Sequence, residues 1–180
     1  SNSKYNGDIS NWDVSNATNM AVLFNNCPFN GKKGDISDWD VSNVKTMKSM
    51  FSSALSFNQD ICNWNVSRVT NMSSMFADCF DLVTLDISSF DTSNVTTIHR
   101  MFYGCRSLKK IICPNGLDCS NVTDMGEVFH DCCVNLDLES PLHFKNVKFS
   151  LIESGSSPDD WTIEGIDGTR GLHYIVDSVI

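Results

Sequence analysis

Aspartate is the residue type best placed here to do chemistry by repetition. The chain holds 18 Asp against 4 Glu. Asp8, Asp35, Asp60 and Asp86 recur at steps of 27, 25 and 26, followed two residues on by Ser10, Ser37, Cys62 and Ser88. A second set keeps the same rhythm: Asp13, Asp40, Asp91 and Asp118, with Asn65 in the middle place. A row of carboxylates can bind a cation or face a basic partner. It can also accept backbone N–H groups, because Asp is a cap and turn residue. Like charges one strand spacing apart repel by about 1 kcal/mol per pair in water, so one of these three must offset the row. The Gly-rich nonapeptide of calcium-binding repeats is absent. The candidate binding face is therefore Asp8, Ser10, Asp35, Ser37, Asp60, Asp86 and Ser88.

Cysteine comes next, with eight copies. Cys27, Cys79, Cys105 and Cys132 share one column, with Ala54 in the remaining place. Ala substitutes for a small buried thiol and not for half of a bridge, so mainly unbridged, buried thiols are expected. Cys79 with Cys105 is the best-placed bridge, and Cys132 competes for Cys105. Cys62 and Cys113 fall two repeats apart, roughly 10 Å by strand spacing and beyond the ~7 Å Cα limit for a disulfide. No CxxC occurs, and His130 with Cys132-Cys133 is too compressed for a zinc knuckle. The four His share no column, and no nucleophile–base constellation follows from spacing. No enzymatic activity, cofactor or metal is expected. Five N-x-S/T sequons occur, at Asn16, Asn65, Asn71, Asn94 and Asn121. Most belong to the repeated segment, which generates them without any need for glycosylation.

What positions these columns is a tandem repeat, visible in several series at once. Phe24, Phe51, Phe76, Phe102 and Phe129 step by 27, 25, 26 and 27. Met20, Met47, Met72, Ile98 and Met125 keep step with them, as do Trp12, Trp39, Trp64, Phe90 and Leu117. The unit reads roughly FNGDISNWDVSNVTNMSSMFxxC. Copy three, 57–82, is the cleanest, and copy five replaces Ser-x-Trp with Pro114-Asn115-Gly116. A period of 25–27 is the length of one solenoid coil. Leu82-Val83-Thr84-Leu85-Asp86-Ile87 alternates like a short strand; Asn71-Met72-Ser73-Ser74-Met75-Phe76 spaces its apolar residues like a helical turn or two. The Phe column predicts a stacked aromatic spine, and the Met columns predict gap-filling core.

The remaining bounds come from size and charge. With 180 residues the chain can bury a sizeable core. Its apolar runs fall short of a membrane span. A net charge of −9 disfavours nucleic acid as a partner. Residues 1–4 cannot cap copy one, so that coil is expected to dock on further repeats or another subunit. From Asp137 the register is lost. Val147-Lys148-Phe149-Ser150-Leu151 reads as a strand, and Trp161-Thr162-Ile163 with Leu172-His173-Tyr174-Ile175-Val176 reads as a hairpin.

The words Phe57-Asn58-Gln59-Asp60-Ile61, Trp64-Asn65-Val66-Ser67, Val69-Thr70-Asn71-Met72 and Met75-Phe76 carry a family likeness. The unit resembles the BspA-like leucine-rich repeats, in their 25–26-residue variety first described as a mycoplasma surface-protein repeat. The likeness runs from Tyr5 to about Leu136. It implies an α/β repeat solenoid of leucine-rich-repeat type, right-handed, with a short parallel sheet on one face and short helices on the other. Residues 1–136 would form five coils, and 137–180 a small C-terminal β cap. The resemblance also implies a non-enzymatic protein- or glycan-binding adhesion module at a cell surface or outside the cell. The alternative is a structural assembly component of a virion or cell envelope. No catalytic residues come with the family.

Overall fold

The computed structural model describes residues 7–30, 34–132, 142–147, 174–177 and 180. The five copies stack as successive coils in parallel register. Single bridges tie Asn19 to Thr46, Thr46 to Asn71, Asn71 to Thr97 and Thr97 to Asp124. Each coil bends through reverse turns at matching places. In copy two the Trp39 N–H donates to the Ile36 carbonyl at 3.1 Å, and the Val44 N–H to the Val41 carbonyl at 2.9 Å.

The expected helices do not form, which overturns the α/β solenoid. No helix occurs among the described residues, and the strands there make two small parallel sheets. The reason lies in where the backbone donors go. In copy two the N–H groups of Met47, Ser49, Phe51 and Ser53 cross to the carbonyls of Asn71, Ser73, Met75 and Ala77 in copy three, at 2.7–3.0 Å. Between them, Met50, Ser52 and Ala54 donate to carbonyls three residues back. Half the donors thus hold the next coil and half close local turns. An α-helix would bond each N–H four residues back and leave none to hold the neighbouring copy.

This ribbon needs a left-handed residue twice per copy. The first place holds Val22, Ser49, Ser74, Arg100 and Glu127; the second holds Asn26, Ser53, Asp78, Gly104 and Asp131. The second set is rich in Asn, Asp and Gly, which tolerate positive φ. Val22, at φ 55° and exposed, is the misfit, because a β-branched side chain crowds its own backbone there. Val22→Asn is therefore expected to raise stability by about 0.5–1 kcal/mol. A urea midpoint unchanged or lowered relative to wild type would contradict this.

Among the described residues, strands appear only late in the stack. β1 (Thr84–Asp86) pairs in parallel with β2 (Lys110–Ile112), as the alternation in copy four predicts. The matching segment of copy three, 58–60, forms no strand. β3 (Leu117–Asp118) pairs in parallel with β4 (Leu142–Lys145), and β4 with β5 (Tyr174–Val176). The stacking therefore continues beyond copy five. Of the strand expected over 147–151 only Val147 falls among the described residues, where it accepts the Ile180 N–H at 2.9 Å. The hairpin partner at 161–163 lies outside the described residues, and β5 pairs in parallel with β4.

The core follows the columns. Successive Phe rings of the spine lie 5.5, 5.8, 5.8 and 5.4 Å apart and within 12° of parallel. All seven Met are buried. The indoles of Trp39 and Trp64 are buried too, and their N–H groups donate to the Ile9 and Ile36 carbonyls of the preceding coil, as a buried indole requires.

Candidate binding face: rows of carboxylates on the turns

The residues of the candidate face come from one turn repeated in each coil. Ile9, Ile36, Ile61 and Ile87 point into the core and are buried. The Asp before each of them therefore points out. Asp8, Asp35 and Asp60 are exposed, and Asp86 is half-buried on β1. Each accepts the N–H two residues on: Asp8 from Ser10 at 3.0 Å, Asp35 from Ser37 at 2.8 Å, Asp60 from Cys62 and Asp86 from Ser88 at 2.9 Å. The array thus brings the whole predicted set into one row.

The same Asx turn recurs one corner later. Asp13, Asp40, Asn65, Asp91 and Asp118 accept the N–H groups of Ser15, Ser42, Ser67, Ser93 and Ser120. A third row, starting each ribbon, does the same with Asn19, Asn71 and Asp124, and with the Thr46 and Thr97 hydroxyls. Spacing pointed to the second row, and only the turn geometry shows the third. The chemistry explains the excess of Asp over Glu. The carboxylate must reach the N–H two residues ahead of it in its own chain, and one extra methylene breaks that geometry.

These bonds tune the acids. The Ser10 hydroxyl and N–H hold the Asp8 carboxyl below its ordinary range, and Ser15 and Ser42 do the same for Asp13 and Asp40. Asp13 repels Asp40 across the stack, which opposes part of that shift. The Cys62 N–H and thiol lower Asp60, and Asp60 in return pushes the Cys62 thiol up. Burial pushes Asp118 up, but donors from Ser120 and Asn146 and the nearby Lys145 outweigh it and leave a net lowering. Asp8, Asp13, Asp40, Asp60 and Asp118 therefore stay charged to lower pH than an ordinary aspartate. Each uses Oδ1 on its own turn. Oδ2 of Asp8, Asp35 and Asp86 has no hydrogen-bond partner among the described residues.

Hydrogen bonding to the local turn is thus realised for every row member. No three His, Cys, Asp or Glu side chains converge as metal ligands among the described residues.

The rows end in a shallow cleft that spacing missed. It measures about 350 Å³ and is lined by Ser88, Asp91, Thr92, Asn115, Asp118 and Lys145 among others. Its signal was the Pro114-Asn115-Gly116 irregularity. Gly116 sits at φ +68°, and a Cβ there would come within 2.8 Å of the His143 carbonyl on β4. Only glycine lets copy five lie this close to β4.

The cysteine column is inward. Cys79 and Cys105 are buried free thiols whose S–H groups donate to the Phe51 and Phe76 carbonyls at 3.2 and 3.0 Å. They form no bridge. No helix among the described residues is long and apolar enough to cross a membrane.

Comparison with known proteins adds one finding. No curated protein and no solved structure matches the chain. The model of the family described as "Mycoplasma protein of unknown function, DUF285" matches residues 1–110 and again 29–141, and the chain belongs to that family.

Proposed function

We propose that the chain is a non-enzymatic recognition module of the BspA-like surface-protein type, presenting its acidic rows to a protein or glycan partner outside the cell. A basic protein fits the charge best. The observation that carries this reading is the row itself. Repeated Asx turns fix each carboxylate through one of its oxygens. Segments 7–14, 34–41 and 60–66 hold Asp8, Asp13, Asp35, Asp38, Asp40 and Asp60 and no Lys or Arg. A preorganised line of like charge attracts a complementary partner at little ordering cost.

The test is Asp35→Ser, Asp60→Ser and Asp86→Ser combined, since a Ser hydroxyl can still accept from the turn. Retention on immobilised polylysine at moderate salt is expected to fall about tenfold. The control carries the same charge change elsewhere, as Asp78→Asn, Asp81→Asn and Asp131→Asn. Equal losses in both would show a bulk charge effect and remove this face.

A second reading is structural: an assembly component of a virion or cell envelope. The buried, unbridged thiols of Cys79 and Cys105, which suit a reducing compartment, favour it.

A further inference from the structure

The cleft at the end of the rows forms where one column loses its side chain. Asn11, Asp38, Asn63 and Ser89 hold the same place on successive coils, and copy five puts Gly116 there. The space of about 350 Å³ opens between copy four, copy five and β4. That falls within the range of small-molecule sites, about 300–1,000 Å³. Every residue that lines it is among the described ones.

Several polar groups in this cleft have no partner. Asp118 and Lys145 are register neighbours on β3 and β4, so their side chains share a face. They carry opposite charges and yet do not close on each other. The Lys145 stem lies across the bare glycine, with Cε 3.3 Å from where a Cβ of residue 116 would stand. Its ammonium, on a half-buried side chain, makes no hydrogen bond or ion pair among the described residues. Asp118 directs Oδ1 to the Ser120 N–H and the Asn146 amide instead, at 2.9 and 3.1 Å. Across the cleft, Asp91 uses Oδ1 for the Ser93 N–H at 3.0 Å, and its Oδ2 accepts nothing among the described residues. The exposed side-chain amide of Asn115 is equally unpaired there. The corner segments 86–93 and 113–120 hold no Lys or Arg, so the cation comes to this corner from β4.

The mixture of charges selects the ligand. An anion drawn to Lys145 meets Asp91 and Asp118. A cation drawn to the two carboxylates meets Lys145. A neutral polyol satisfies both, because each hydroxyl can donate to a carboxylate and accept from an ammonium or an amide. We propose that this cleft is a carbohydrate site that takes a neutral hexopyranose, whose hydroxyls donate to Asp91 and accept from Lys145 and Asn115. The site goes beyond the reading of the acidic rows. It takes a different ligand and uses none of Asp35, Asp60 and Asp86, so either reading can fail alone.

The test titrates the full chain with the methyl glycosides of glucose, galactose and mannose and with N-acetylglucosamine, each to about 100 mM. NMR follows the Asn115 side-chain amide and the Gly116 N–H. Saturable shifts are expected at both for at least one sugar. Lys145→Met removes the ammonium and keeps the stem. Asp91→Asn keeps the turn, as Asn65 does in the same row. Each variant should bind that sugar about tenfold more weakly, with the rest of its spectrum unchanged. Retention on polylysine, which reads the acidic rows, should not fall in Lys145→Met. No saturable shift from any of the four sugars overturns the proposal. Sugar binding that both variants keep also overturns it, since the sugar then sits elsewhere. Binding of glycine or inorganic phosphate tighter than that of every sugar overturns the ligand class, since the cleft is then a site for a zwitterion or an anion.

Discussion

Phe76→Ala is expected to lower stability by about 3–5 kcal/mol and to split the unfolding transition in two. Phe76 is fully buried at the middle of the spine. Its ring stacks on Phe51 and Phe102, each 5.8 Å away, and tilts against Phe57 at 5.8 Å. Removing it opens a cavity that Phe57 cannot fill, since that ring is itself locked 4.1 Å from Phe51. In a stack each coil touches only its neighbours, so the loss falls on the links between copies two, three and four. Copies one and two should then unfold apart from copies four and five. Urea unfolding followed by tryptophan emission reads this directly, because Trp12 and Trp39 report on the first half. The variant should show a lower midpoint and a shallower or two-step curve. Phe76→Leu, which keeps most of the volume, should cost less than about 1.5 kcal/mol and leave one transition. A single sharp transition for the alanine variant, shifted by less than that amount, would refute the picture of coils linked through this ring.

Much of this architecture is legible in the sequence because stacking copies its constraints. A residue that packs on its own counterpart must recur at the repeat length, which makes the Phe, Met, Trp and Ile columns readable as core. The carboxylate rows are readable for the same reason. The ribbon is not. Apolar residues at spacings of three and four, as in Met72, Met75 and Phe76, fit a helix and a chain of reverse turns equally well. The discriminating signal is small, the Asn, Ser, Asp, Gly and Asp series at positions 26, 53, 78, 104 and 131. Those residue types mark left-handed backbone, yet the parallel series from Val22 to Glu127 carries no such mark. The strands fail for a related reason. Asp60 alternates with buried Ile61 as Asp86 does with Ile87, yet in copy three an Asx turn holds it without a strand, and among the described residues this column pairs as strands at β1 and β2.

The second large effect concerns the thiols and alkaline pH. Burial pushes Cys79 and Cys119 up to about 12 and Cys113 up to about 11, and pushes Cys105 well above the ordinary thiol value of 9.0. The native state keeps these protons where the unfolded chain releases them. Below pH 9 both states are protonated and the thiols impose no pH dependence. Above it the unfolded state binds fewer protons, so stability falls as pH rises. Each thiol contributes at most about 1.4 kcal/mol per pH unit, and four together about 5. A domain of ordinary stability, about 5–15 kcal/mol, loses its fold within one to three such units. Unfolding is therefore expected between about pH 10 and 12. The column itself supplies the control, since Ala54 occupies the place that Cys79 and Cys105 hold in later copies. Cys79→Ala with Cys105→Ala gives up two S–H bonds and some stability at pH 7, but it should roughly halve the slope above pH 9. Denaturant midpoints measured from pH 8 to 11 for both proteins decide the matter. If the slopes are equal, the fall belongs to repulsion among the carboxylate rows and to lysine deprotonation, and the thiols are spectators. A halved slope shows that the buried column, which reads as inert packing at neutral pH, sets the alkaline limit of the fold.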